Sequence, residues 1–367
     1  MAPDAPAKRV AVLGVGLIGG SIGLAARRRL GVEVVGYDPA AATVAEARRK
    51  GAIGRGAGSV EQACAGADVI FCAAPVGTLL ELARAALAAA GPEEVVTDVG
   101  STKRGIVAAL GDDERFIGGH PLAGAETAGV ENARVDLFEG ARWFLTPTER
   151  SAGMLYDRLQ RAVSSLGARP QAIDPESHDR VMATVSHMPH VLANALAAEA
   201  ATALTGGERL PEVGPSFRDT TRIAGANPPI WADIYIANAD AVAASVESVA
   251  QRLGEAARLL RAGDREAIQA WQAEAGDDRR RLLERQLDSG PLRELRIVVA
   301  NEPGTIARLA LALGEAGVNI EDMALHPAVD MESGSVSLWV SGEEQARRAE
   351  VLVRERGHSV TVVGDGA

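Results

Sequence analysis

The sequence predicts an α/β fold in three parts: a doubly wound, mostly parallel sheet, an all-helical segment, and a small module of βαββαβ order. Three observations carry this. Over the first third, short β-rich runs at 9–13, 33–38, 68–73, 93–98, 115–119 and 142–145 alternate with Ala- and Arg-rich helical stretches, the rhythm of a parallel sheet with crossover helices. From about residue 174 the pattern changes, and 178–288 holds long helical segments punctuated by Gly206, Gly207, Pro211, Pro215, Pro228 and Pro229. After Ser289-Gly290-Pro291 come a strand (295–300), a helix (305–316), strands at 319–326 and 334–341, a helix (343–356) and a strand (359–363). That last order is the ferredoxin-like arrangement, and about 75 residues suffice for it to fold as a unit. The expected divisions are 1–173, 174–290 and 291–367.

Composition narrows the function. With 38 Lys and Arg against 49 Asp and Glu the net charge is −11, which disfavours nucleic acid and anionic membranes as partners. An anionic substrate must then be met by locally placed Arg or Lys. The two cysteines, Cys64 and Cys72, supply neither a disulfide framework nor a tetrathiolate metal site. Cys72 lies in the apolar run 69–72 and reads as a buried, inert thiol. The opening MAPDAPAKR reads as a short tail, and no window has the length and apolarity of a membrane span. A cytoplasmic protein is the default.

Residues 10–23 read VAVLGVGLIGGSIG, so Gly14, Gly16 and Gly19 form G-x-G-x-x-G between a predicted strand and a helix. The first glycine permits the turn, the second lets backbone approach a pyrophosphate, and the third allows helix–strand contact. The helix opening at Leu17 and Ile18 offers unpaired N–H groups and a positive dipole end to phosphates. Asp38 ends the second strand, 24 residues beyond Gly14. A carboxylate there accepts hydrogen bonds from the ribose hydroxyls of NAD and repels the 2′-phosphate of NADP. Together these form a Rossmann-type NAD site; the bland alternative is a Gly-rich turn that binds nothing. Pro75 ends the third strand at the same crevice, or is a plain strand-ending proline.

Two further segments end strands at this carboxyl edge: DVGSTK (98–103) and GGHPLAGAE (118–126). His120 is placed to polarise or deprotonate a hydroxyl that is losing hydride, since imidazole titrates near neutrality. A lone strand-end histidine is otherwise structural. On the helical segment, His187 and His190 stand three apart on one face, kinked by Pro189. Such a pair is half a metal site, but no matching carboxylate or cysteine cluster accompanies it, and no metal is expected. Arg222, in FRDTTRIA (217–224), is the candidate for gripping a substrate carboxylate, with Arg218 as the alternative.

GVGLIGGS, DVGSTK, GGHPLAGAE, SHMPH and FRDTTRIA occur in the order and spacing of the prephenate dehydrogenase family, which the chain resembles over roughly residues 8–285. That family includes the arogenate-specific enzymes of tyrosine biosynthesis. The resemblance implies NAD-dependent oxidative decarboxylation of prephenate to 4-hydroxyphenylpyruvate. His120 then takes the proton of the ring hydroxyl, with Ser101 holding either that histidine or the hydroxyl. The resemblance also lines the substrate pocket with Ser186 and His190, and places Glu126, Asp219 and Trp231 as a gate or support. His187 belongs to that pocket face or is a satisfied core histidine.

Residues 293–363 resemble an ACT domain, a module that commonly binds amino acids at a dimer interface. On that resemblance Asn301 and Gly304 form the strand-to-helix loop that admits a ligand carboxylate, and Asn319 and Ile320 contact the effector. An aromatic amino acid, tyrosine first, is the expected effector, and a homodimer the expected assembly. The alternatives are an arogenate dehydrogenase, another ACT-bearing oxidoreductase such as 3-phosphoglycerate dehydrogenase, a module that only assembles, and a non-catalytic NAD- and amino-acid-binding regulator. GGHPLAG argues against the second, and Ser101, His120 and Arg222 together against the last.

Overall fold

A computed structural model describes residues 6–124, 127–203, 214–284, 292–300, 302, 304–327 and 333–363. The chain forms two compact units, Met1–His178 with Gly290–Ala367, and Asp179–Ser289. In the first unit, strands β1 (Arg9–Leu13), β2 (Glu33–Tyr37), β3 (Arg55–Gly56), β4 (Val69–Cys72) and β5 (Val95–Asp98) make a parallel sheet of order β3-β2-β1-β4-β5. Both faces are covered. Val10 and Val12 point into one apolar cluster, Ala11 and Leu13 into another on the opposite side. Strands buried on both faces need the near-continuous apolar runs that the sequence carries here.

The expected sheet is not one sheet. Phe116 bridges to Val96 in parallel, extending the first sheet by a single step. The chain then leaves it, and β6 (Gly118–Pro121) pairs antiparallel with β7 (Arg142–Thr146), which pairs in parallel with β8 (Arg169–Ala172). His120 therefore stands on the second sheet, opposite Phe144. The stretch 115–119 reads as one strand because nothing in its side chains marks the change of partner.

The C-terminal segment folds as β9 (Leu292–Ala300), helix Thr305–Glu315, β10 (Ile320–Pro327), β11 (Ser333–Ser341), helix Glu343–Glu355 and β12 (Ser359–Val363). Its antiparallel sheet has the order β10-β11-β9-β12. This module does not stand apart from the first sheets. Leu295 and Ile297 of β9, Leu338 and Val340 of β11, and Ile306, Leu309 and Leu313 of the first helix share one continuous core with Trp143, Leu145, Leu155 and Leu159. The two parts approach closely at Gly304, whose φ is +78° and whose missing Cβ would overlap the Glu149 carbonyl oxygen. On its Cβ side, Gly304 therefore packs directly against the backbone at Glu149.

The second unit contains the helices Met188–Ala203, Pro215–Thr221, Pro228–Ala237, Ala239–Ala262 and Arg265–Glu284. Among the described residues, no helix is long and apolar enough to cross a membrane. Apolar side chains stand exposed along this unit, among them Leu192, Ile236, Leu253, Leu260, Trp271 and Leu282.

The contact at Gly304 generates a stability prediction. Gly304→Ala forces a side chain into both a left-handed backbone and the Glu149 carbonyl, and should destabilise the first unit by about 1–3 kcal/mol. Denaturant unfolding of the full chain measures this, and an unchanged midpoint would mean that the module is not tightly seated.

Candidate active site

The glycine turn is built for close approach. Gly14 has φ +91°, and a Cβ on it would overlap the Ala73 carbonyl oxygen, while the corresponding direction at Gly16 meets nothing within 4 Å. The helix Leu17–Ala25 starts at Gly16 with no side-chain cap and no acidic residue in its first turn. Its first N–H groups are thus available to an anion. Asp38 accepts hydrogen bonds from Val15 N (3.2 Å) and Ala40 N (2.9 Å), which ties the end of β2 to the glycine turn. Each carboxylate oxygen has a second acceptor site, so ribose hydroxyls remain within its capacity. Pro75 is exposed and caps the helix Val76–Ala89 at the same edge. These residues fit NAD: an uncapped helix start for the pyrophosphate, an open glycine for its approach, and a carboxylate for the ribose.

At the end of β5, Asp98 and Lys103 form an ion pair in which both side chains are fully buried. Asp98 also accepts from Gly100 N (2.8 Å) and Gly119 N (3.1 Å). The pair thereby fixes the loop that carries Ser101, which is half-buried, and the strand that carries His120, which is 9% exposed. His120 Nδ1 lies 2.9 Å from Nε2 of His178, a fully buried residue of the helix Pro175–Met182. Phe144 stands edge-on to the His178 ring at 5.5 Å.

The second unit gathers another group. His190 stacks on Trp231 with ring centroids 3.5 Å apart, and His187 meets the same indole edge-on at 6.0 Å. His187 is buried, with Nδ1 3.2 Å from Asn238 Nδ2. A π-helical turn, Ala183–His187, precedes Pro189; proline has no N–H for the preceding turn and crowds its carbonyl. Burial pushes the His190 imidazole below its usual range; a hydrogen bond to the Ile223 backbone opposes this, and the Arg222 guanidinium adds to it. Arg222 and Asp219 are exposed and Ser186 is half-buried. Tyr235 packs against Trp231 at 5.4 Å, and its buried hydroxyl has no hydrogen-bond partner among the described residues.

Of the predicted residues, the structure thus groups Gly14, Gly16, Leu17, Ile18, Gly19 and Asp38 at one turn, and Ser101 and His120 around the Asp98–Lys103 pair. His187, His190, Trp231 and Arg222 form the other group. Glu126 and Asn301 lie outside the described residues. Asn319 donates from Nδ2 to Glu321 (2.7 Å), and Ile320 is buried in the core. Sequence reasoning passed over His178, Lys103 and Tyr235. The signal for His178 was scarcity, because the chain holds only six histidines. Cys64 and Cys72 are buried and free, and burial pushes the Cys64 thiol up to about 12 and Cys72 well above the ordinary thiol range, as expected of inert thiols. Among the described residues, no group of three or more His, Cys, Asp or Glu is arranged to hold a metal ion.

Comparison with known proteins settles the family. Residues 22–171 match the prephenate dehydrogenase nucleotide-binding domain, and residues 174–274 match the prephenate dehydrogenase dimerization domain. The prephenate dehydrogenase of Lactococcus lactis subsp. cremoris is 30% identical over 85% of this chain and 88% of the relative. The chain belongs to the prephenate dehydrogenase family. The Bacillus subtilis prephenate dehydrogenase is 29% identical over 97% of this chain and 98% of its own length, so that similarity includes the C-terminal module. The crystal structure of prephenate dehydrogenase from A. aeolicus, in complex with hydroxyphenyl propionate and NAD+, is 31% identical with a TM-score of 0.71, covering 75% of this chain and 98% of that one. Membership makes the protein an NAD-dependent oxidoreductase of the prephenate dehydrogenase type.

The His190 environment predicts a titration. Followed by NMR in the folded chain, His190 should titrate below its ordinary 6.5. Arg222→Ala removes a positive charge that disfavours the imidazolium, so the midpoint should move up. A downward move, or none, would show that Arg222 does not act on this ring.

Proposed function

We propose that this enzyme converts prephenate to 4-hydroxyphenylpyruvate, with His120 as the base and Arg222 as the carboxylate anchor. The observation that carries the reading is the buried His120, held through Nδ1 on a strand fixed to the end of the parallel sheet. With Nδ1 engaged by His178, Nε2 is the nitrogen assigned to the substrate hydroxyl. Bound at the glycine turn, NAD supplies the acceptor for the hydride. His120 takes the hydroxyl proton as the ring carbon loses its hydrogen with the bonding electrons, and the oxygen becomes a carbonyl. The electron pair of the ring–carboxylate bond then moves into the ring, carbon dioxide leaves, and the oxygen is protonated as a phenol. Aromatisation drives this step, so the protein's main task is alignment.

Ser101 orients His120 or the hydroxyl. Arg222 offers a planar fork to the side-chain carboxylate, and His190 and Ser186 add polar contacts. Glu126, Asp219 and Trp231 gate or support the pocket, and His187 backs Trp231. Arogenate differs by carrying an ammonium in place of the ketone and is the alternative substrate. The functional divisions we assign are 1–173 for cofactor, 174–290 for substrate and dimerisation, and 291–367 for regulation.

In this reading the last division is an ACT domain of ferredoxin-like order that brings feedback inhibition by an aromatic amino acid, tyrosine first. Supporting it, Asn319 Oδ1 is buried without a hydrogen-bond partner among the described residues. A homodimer is supported by the apolar side chains exposed along the second unit.

Formation of NADH with prephenate and with arogenate tests the function and separates the substrates. His120→Asn should keep substrate binding and lower turnover by a factor on the order of 10² to 10⁴; near-normal turnover would remove His120 from the chemistry. Arg222→Ala should weaken substrate binding by about 2–5 kcal/mol and leave NAD affinity unchanged, whereas equal losses for both would make it a structural residue.

Regulation has its own measurement. Asn319→Ala should blunt inhibition by tyrosine in the full chain without altering basal turnover. Inhibition that persists unchanged and competes directly with substrate would leave the module as a structural element.

A further inference from the structure

We propose that His178 is a positioning residue that fixes His120 in the tautomer able to act as a base. This rests on the assignment of His120 as the base. A hydrogen bond between His120 Nδ1 and His178 Nε2, 2.9 Å apart, requires one nitrogen to carry the proton and the other to accept it. If His178 donated, the neutral His120 would carry its proton on Nε2 and have no lone pair there for the substrate. If His120 donates from Nδ1, Nε2 keeps its lone pair and can take the hydroxyl proton.

The surroundings favour the second arrangement. His178 is fully buried and lies in the first turn of the helix Pro175–Met182, where burial and the positive end of the helix dipole both oppose a charged imidazolium. A neutral His178 can serve as the acceptor before and after proton transfer. Once His120 has taken the proton, its Nδ1–H still donates to His178, now as a charge-assisted bond. The charged groups at the strand, Asp98 and Lys103, are paired with each other and contribute little net charge. On the helix itself, Glu176 and Arg180 are exposed and opposite in sign, Asp179 is buried, and the Asp174 carboxylate is engaged by the backbone N–H of Ser177.

His178 is also held firmly enough to impose a geometry. Its backbone N–H donates to the Asp174 carbonyl (2.9 Å), and Asp174 Oδ1 caps the same turn through Ser177 N (2.8 Å). Phe144, the strand partner of His120, packs edge-on against the His178 ring. One aromatic side chain thus sets the spacing between the strand that carries the base and the helix that carries its partner.

The test uses the full chain. In ¹⁵N NMR of the wild type, His120 should show a protonated Nδ1 and an unprotonated Nε2. His178→Phe, which keeps a ring but removes the acceptor, should shift His120 toward the Nε2–H form. It should also lower kcat by a factor on the order of 10² with little change in KM for prephenate, and move the acidic limb of the kcat/KM pH profile. His178→Gln, whose amide oxygen can accept, should recover part of kcat. A wild-type His120 protonated on Nε2 would overturn the proposal outright, even if the phenylalanine variant failed to fold. So would a His178→Phe enzyme with unaltered kcat and pH profile. If instead His120→Asn kept its turnover while the NMR showed the expected tautomer, the base assignment would fail and the pairing geometry would stand.

Discussion

The first unit depends on one buried interaction, the ion pair between Asp98 and Lys103 at the end of β5. Taking both charges out of water is costly, and the cost is offset only when the remaining acceptor sites are filled. Here they are filled by the N–H groups of Gly100 and Gly119. The same bonds that satisfy the carboxylate therefore attach the loop of Ser101 and the strand of His120 to the parallel sheet. Gly119 has to be a glycine for this, because a Cβ there would lie 2.6 Å from the Asp98 carbonyl oxygen. Removing one partner of such a pair typically costs about 3–5 kcal/mol, and here it would also release the strand that bears His120.

From that anchor the division of labour follows. The parallel sheet presents the glycine turn and Asp38 at its carboxyl edge, and the second sheet presents His120. The helical unit supplies a separate cluster in which Trp231 organises two histidines of different character. His187 is buried and bonded to Asn238, while His190 stacks on the indole and has its pKa lowered mainly by burial. Their spacing of three residues brings both rings to the same indole without giving them equal environments.

Much of this was legible in the residues themselves. Local patterns placed β1 and β12 to the residue, and the C-terminal strand and helix order was readable from alternation and turn residues alone. The glycine fingerprint and Asp38 were likewise readable, since each follows from a local rule about turns and strand ends. What escaped was long-range. His120 and His178 are separated by 58 residues, and no local motif announces that they meet. The departure of β6 from the parallel sheet is a choice of partner, which the strand's own side chains do not encode. The requirement for glycine at 304 likewise includes a contact with the backbone of Glu149, 155 positions earlier in the chain.

The shared core of the first unit has a consequence for how the protein is made. Residues 1–178 contribute one side of that core and 290–367 the other, with the helical unit lying between them in sequence. At typical synthesis rates, the 189 residues that follow His178 take roughly 10 to 40 s to appear. Until then, Leu155, Leu159 and their neighbours lack the strands and helix that cover them. The N-terminal part emerges first but completes last, so its open flank is the surface on which a chaperone would act and on which premature association between nascent chains would begin.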